Sequence, residues 1–317
     1  MKKSILLAMG AAAAVMTSCN HKDLYEDLRY GARIDVVYDW RYAPDANPAS
    51  MALFMYSDGS DAPVDFNFQN NTGGTIRIPF GNYIAVGFNN DNTDWAVIEG
   101  HDVKEQVKIR TTEATVLEAA GLYSRSLPRS ADAADEPIVQ SPGMLWTDRM
   151  DNVSLVVSNK RQTVTLFPEE RVCHYTVDIY DIKNFNSLID TRIDATISGM
   201  ADGYHPGRET AGDNYVTMPF VLTPDTAAQS LHSEFLTFGE TPAAEKSHNL
   251  SMYLVTADGS KWHYTADVTD QVADAPDPTH VHIILRGIDI PDSAHPSMGG
   301  VVPDVNDWQT VRIDLKM

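Results

Sequence analysis

Two histidines stand two residues apart in THVHII, His280 and His282. On a strand, that spacing puts both imidazoles on one face, a pattern some zinc sites use. His263, in KWHY, becomes a third ligand if the two segments pair. A solvent-facing pair on a half-buried strand is the simpler reading, and it needs no metal. In NNDNTD, Asn89 to Asp94, side-chain oxygens recur along the run as they do in calcium loops. The run lacks the glycine and the bidentate glutamate of such loops, so a turn built on Asx side chains fits it better. Cys173 stands next to His174. Neighbours on a strand point to opposite faces, so the two do not make a nucleophile–base pair, and a buried, inert thiol is expected. No G-x-S-x-G, H-E-x-x-H, G-x-G-x-x-G or P-loop occurs. The 44 acidic residues leave a glycosidase-type carboxylate pair open. Trp95, Trp146 and Trp308 fall near loop edges, where a ring either stacks on a sugar or plugs the end of a core. The expectation is a protein with no catalytic residues, no metal and no cofactor, and not an enzyme.

The other cysteine sits in a different context. Lys2 and Lys3 precede an apolar run from Ile5 to Val15, and Thr17 and Ser18 precede Cys19. The run is shorter than the ~20 residues a membrane span needs, and it has the length of a signal-peptide core. The order of basic, apolar and small residues before a cysteine resembles the lipobox of bacterial lipoproteins. Met16 stands where leucine is usual. The resemblance implies cleavage of residues 1–18 and lipid, such as palmitate chains, on Cys19. It places the mature chain at the outer membrane, held by acyl chains that each add ~0.8 kcal/mol per buried methylene. Cys19 is then a tether.

Composition narrows the partners. Removing Lys2 and Lys3, with no acids, takes the net charge from -20 to about -22. Such a surface disfavours nucleic acid and anionic headgroups. With Cys19 lipidated, Cys173 has no intrachain partner, so the fold must stand on its core.

The elements that must position these residues alternate with period two. Ile34, Val36, Tyr38 and Trp40 share one face of RIDVVYDW. Trp262, Tyr264, Ala266 and Val268 oppose Lys261, His263, Thr265 and Asp267, and Val311, Ile313 and Leu315 share a face near the end. This pattern describes strands with one buried face. MALFMY, NYIAVGF, VSLVV and TVTLF are more uniformly apolar and read as strands covered on both faces. Asp58-Gly59 and Asp258-Gly259 mark turns, the second a hairpin. A helix is expected over Thr112 to Ser124 and a helical turn near Thr226 to Ser230. The segments 124–137 and 289–308 read as exposed loops. A break near Phe167-Pro168 gives an all-β chain of two β-sandwiches, 19–168 and 169–317.

Four segments together resemble a known group. They are RIDVVYDWRYAPDANPASMALFMY, GNYIAVGFNNDNTDW, ATISGMADGYHPG and DVNDWQTVRIDL. The set resembles the fimbrillin-like surface lipoproteins of Bacteroides-type bacteria, in a branch of about 300 residues. NNDNTDW departs from the group's commoner form by extra residues. The resemblance implies two transthyretin-like β-sandwiches behind a lipobox, and a place among the stalk, anchor or tip subunits of surface pili. It also implies pilin-like partners joined by strand addition, with Trp308 to Met317 the plausible strand. The alternative is a stand-alone surface lipoprotein that binds glycan or another ligand.

Overall fold

A computed structural model describes residues 31–57, 62–92, 94–116, 127–158, 160–188, 193–242, 246–255, 260–291 and 308–313. The first half of the chain contributes β1 (Ala32–Tyr38), β2 (Met51–Ser57), β3 (Val64–Phe68), β4 (Gly73–Ile78), β5 (Gly81–Asn89), β6 (Ala96–Glu99), β7 (Lys108–Thr111), β8 (Trp146–Leu155), β9 (Gln162–Leu166) and β10 (Glu169–Glu170). The second half contributes β11 (Cys173–Tyr180), β12 (Ile193–Ala201), β13 (Tyr204–His205), β14 (Thr210–Ala211), β15 (Tyr215–Asp225) and β16 (Ser230–Thr237). It continues with β17 (Asn249–Val255), β18 (Lys261–Asp267), a short helix α1 (Thr269–Ala273), β19 (His280–Arg286) and β20 (Trp308–Arg312).

In the first half, a sheet of order β4-β1-β9 faces one of order β10-β8-β5-β2-β3. Ile34, Val36 and Tyr38 of β1 meet Met51, Leu53 and Met55 of β2 in a closed core, joined by Val164 and Leu166. Burying one such side chain contributes about 1.5–3 kcal/mol. Gly73 keeps β4 close to β1. Its φ is +95, and a Cβ there would lie 2.2 Å from the Val36 carbonyl oxygen.

Eight strands of the second half form one sheet of order β19-β11-β16-β15-β12-β17-β18-β20. It packs against the back of the first sandwich. Ala52, Phe54 and Tyr56 of β2, with Val86 and Phe88 of β5, share a cluster with Tyr175, Met218, Leu250 and Ile283. This explains the uniform MALFMY: alternate residues feed two different cores. A fourth sheet, β14-β13-β7-β6, takes two strands from each half. Beside it, the Lys108 ammonium lies 2.9 Å from Asp202 and 3.3 Å from Glu99, which also takes Arg110 at 2.8 Å.

Several expectations change. TVTLF alternates, with Val164 and Leu166 buried and Thr163 exposed, because β9 belongs to the outer three-stranded sheet. VSLVV is covered only at Val153 and Leu155, while Val156 and Val157 are exposed. KWHY is covered on both faces: Lys261 and His263 are buried as well as Tyr264. The covering comes from Trp308 and the segment around Leu127, which pack on Tyr253 of β17. At the expected helix over Thr112 to Ser124, Glu113 instead bridges to Val139, and the Ala114 N–H donates to the Ile138 carbonyl at 3.0 Å. Residues 117–126 of that stretch lie outside the described residues. The expected helical turn after β15 is a tight hairpin turn, held by the Asp225 carboxylate on the Ala227 and Ala228 amides at 2.9 and 3.1 Å. The 124–137 loop is not simply exposed: Leu127, Ala133 and Glu136 are buried. The β17–β18 hairpin forms, Val255 opposite Lys261, with Asp258-Gly259 outside the described residues. Asp58-Gly59 also lies outside them, between the antiparallel pair β2 and β3.

Candidate functional site

The paired histidines come to rest on the open face of β16-β11-β19. The β11–β19 ladder is parallel, with His174 opposite His280. Their rings stack at 4.9 Å and 2°. Further along, the Asp178 carboxylate receives the His232 ring through Nδ1 at 2.9 Å and the His282 ring through Nε2 at 2.7 Å. The two imidazoles thus occupy both oxygens of one acid. Burial works to raise the Asp178 pKa, but hydrogen bonds and charge from His232 and His282 outweigh it and hold the carboxyl below its ordinary value. Because both rings are about half exposed, such pairs contribute at most ~1 kcal/mol each. His263 does not join them, since its ring is buried against Tyr253 and Ser251 while theirs lie on an exposed face. Among the described residues, no group of three or more His, Cys, Asp or Glu is placed to hold a metal ion.

His263 is instead a buried neutral side chain. It stacks on Tyr253 at 5.1 Å and meets Ser251 Oγ at 3.1 Å through Nε2. Burial pushes its pKa down to about 4.

The Asn/Asp run is a structural turn. Both Asp91 oxygens are used, one by the Ala49 amide at 2.6 Å and one by Asn89 Nδ2 at 3.0 Å. Asn89 Oδ1 takes the Trp146 amide at 2.8 Å, and the Asn92 side chain donates to the Met144 carbonyl at 3.1 Å. Thr93 lies outside the described residues. Cys173 and His174 are both half-buried; Cys173 packs against the core, and burial followed by the charges of Asp277, Glu170 and Glu240 pushes the thiol up to about 11. At neutral pH that holds the thiol in its protonated, less nucleophilic form.

The three tryptophans are half-buried, Trp95 and Trp308 against core clusters and Trp146 against Trp40. Trp95 meets Phe238 of the second half at 6.3 Å. Trp146 meets Trp40 edge-on at 6.1 Å, and Trp308 meets Tyr253 edge-on at 5.6 Å. Cys19 and residues 1–18 lie outside the described residues.

The terminal segment pairs with its own chain. β20 runs parallel to β18, from Lys261 opposite Trp308 to Thr265 opposite Arg312, and the Ile313 amide reaches the Thr265 carbonyl at 2.8 Å. Residues 314–317 lie outside the described residues. β20 and β19 are the two edges of the eight-stranded sheet, and a cavity of about 900 Å³ lies between them. Tyr264, Ile284 and Ile313 line it together with Asp267, Asp270 and Arg286. Hydrogen bonds from Thr269 hold the Asp267 carboxyl below the usual carboxylate range. The Gln271 side chain covers part of the β19 edge, accepting from the Ile284 amide at 2.8 Å and donating to its carbonyl at 3.2 Å.

Sequence reasoning missed Glu136. Its carboxylate is buried and accepts from the Gly199 amide at 3.1 Å, the Thr217 hydroxyl at 2.8 Å and the Lys246 ammonium. It fastens a segment of the first half to the second. Nothing in SADAADEP separates this acid from its exposed neighbours.

Stacked sheets from both halves, sharing one core and tied by a four-stranded sheet, make an all-β protein with the fold of a solved adhesin candidate from Bacteroides ovatus. That structure superposes with a TM-score of 0.65 at 19% identity, covering 89% of this chain and 99% of the other. The chain belongs to the family described as a domain of unknown function, DUF5119, whose model matches residues 18–221. The fimbrial anchor protein Mfa2 from Porphyromonas gingivalis is a more distant likeness, with a TM-score of 0.48, 13% identity, and coverage of 81% of this chain and 90% of that one. No curated protein matches the chain.

Proposed function

We propose that the chain is a lipid-anchored protein exposed at the surface of the outer membrane, and a structural, anchor or adhesive tip component of a fimbria-like fibre. The observation that carries the reading is the fold shared along nearly its whole length with the adhesin candidate from Bacteroides ovatus. Ladders of backbone hydrogen bonds suit a protein that must hold without doing chemistry. We take the chain as two domains, 19–168 and 169–317, with Cys19 carrying the lipid and no enzymatic activity. Pilin-like subunits are the partners, joined by strand addition at a free sheet edge.

Two experiments test this. Cys19→Ala releases the protein from the membrane fraction and abolishes lipid labelling; normal labelling and retention contradict the anchor. Deleting Trp308 to Met317 removes β20. Loss of folding means the strand completes its own domain, and a folded monomer that no longer joins pilin means it is donated. A deletion that folds and assembles normally overturns both versions. A second reading, a stand-alone binder of glycan or another ligand, draws on the cavity between β19 and β20, where carboxylates, Arg286 and the Tyr264 ring line one space. Saccharide affinity in the isolated monomer is its test.

A further inference from the structure

β1 is the middle strand of its sheet. On one side it is antiparallel to β4 from Ala32–Ile78 to Val37–Gly73. On the other it is parallel to β9 from Ile34–Gln162 to Tyr38–Leu166. Ala32, Ile34, Val36 and Tyr38 are all buried, and the Tyr38 hydroxyl donates to the Ala52 carbonyl at 2.9 Å. β1 is the first described strand, and β9 closes the same sheet just before the chain crosses through β10 into β11. Tyr38 sits opposite Leu166, and the Asp39 amide reaches the Leu166 carbonyl at 2.8 Å. The end of β1 and the exit to the second half are therefore at one pole, and the start of β1 is at the other.

This geometry fixes how the strand responds to tension. Pull upstream of Ala32 while the rest of the chain is held beyond β9. Two parallel neighbours are then drawn in opposite directions along their common axis. The ladders to β4 and β9 share that load, and four buried side chains must leave the core in the same event. Had β1 been antiparallel to β9, its entry and the exit would share a pole, and the ladder bonds would break singly, in succession.

We propose that β1 is a force-bearing plug, held in shear between β4 and β9, through which tension from an N-terminal tether passes into the body of the protein. The direction of load rests on the reading of Cys19 as that tether.

The test is constant-force unfolding of purified, unlipidated chain carrying Cys173→Ala. In one variant the handles are Cys19 and Glu169→Cys, which load β1 in shear. In the other, Cys19→Ser moves the first handle to Asp45→Cys, beyond Tyr38, which loads strand ends at one pole. Thermal unfolding first checks that both variants are folded. If two or more ladder bonds break together in shear, lifetimes at equal force differ by on the order of tenfold. A clearly longer lifetime in the Cys19 geometry supports the plug. Equal or shorter lifetimes overturn it. The chain is soluble in this experiment, so failure of the plug is separate from failure of lipidation, which membrane fractionation of Cys19→Ala reads.

Discussion

Acid should weaken this fold through His263, by an amount the structure sets. The ring is 1% exposed, between Tyr253 and the hydroxyls of Ser251 and Thr310. Lys261, two residues away, is buried beneath the Trp308 ring. Burial lowers the His263 pKa from its ordinary 6.5 to about 4. The unfolded chain therefore binds a proton below pH 6.5 that the folded chain refuses down to about pH 4. Where the unfolded state binds more protons, stability rises with pH, so it falls as pH falls through this window. The native advantage is fully present above pH 6.5 and lost by about pH 4. At about 1.4 kcal/mol per pH unit, the loss approaches about 3 kcal/mol. Urea unfolding at about pH 7.5, 5 and 4 measures it, with His263→Gln as reference, because glutamine keeps a donor and an acceptor but does not titrate. The wild-type protein should lose about 3 kcal/mol more than the variant between the extremes. Equal losses in the two proteins would refute the reasoning and place the acid sensitivity elsewhere.

The junction between the halves gives two further expectations. A Cβ at Gly207 would lie 1.8 Å from the Lys104 carbonyl oxygen, so Gly207→Ala should cost about 1–3 kcal/mol and lower the melting temperature by several degrees; an unchanged melting temperature would show that the contact relaxes freely. Glu136→Ala leaves the Gly199 amide, the Thr217 hydroxyl and the Lys246 ammonium without their acceptor, for a loss of about 3 kcal/mol in urea, and Glu136→Gln should lose less. Metal analysis of the purified chain should find no stoichiometric zinc; one zinc per chain, released by His282→Ala or His232→Ala, would contradict the account of the imidazoles as partners of Asp178.

Local patterns show the strands and hide their neighbours. RIDVVY alternates because one face of β1 meets the core, and the structure keeps that face. TVTLF reads as two-sided because threonine suits either face of an edge strand, and only its place beside β1 reveals the exposed side. Lys261 and His263 read as outward-facing for the same reason: their cover, Trp308, arrives from 47 and 45 residues away respectively, and no period of two records it. The solvent-facing pair His280 and His282 is legible from alternation alone. Its partners, His174, Asp178 and His232, are not, since they depend on the order β19-β11-β16. Glu136 is hidden among similar acids because its meaning lies in the Gly199 amide and the Thr217 hydroxyl it meets.

A fixed component of a surface fibre leaves the cell bound to its neighbours in that fibre. The most direct measurement is recovery of the tagged, lipidated protein from intact cells, run on SDS gels without boiling and identified by mass spectrometry. SDS-resistant complexes containing pilin-like subunits are expected, lost when residues 308–317 are removed. Recovery of the full-length protein only as a monomer, with measurable affinity for a saccharide, would contradict it and favour the cavity between β19 and β20 as a ligand site.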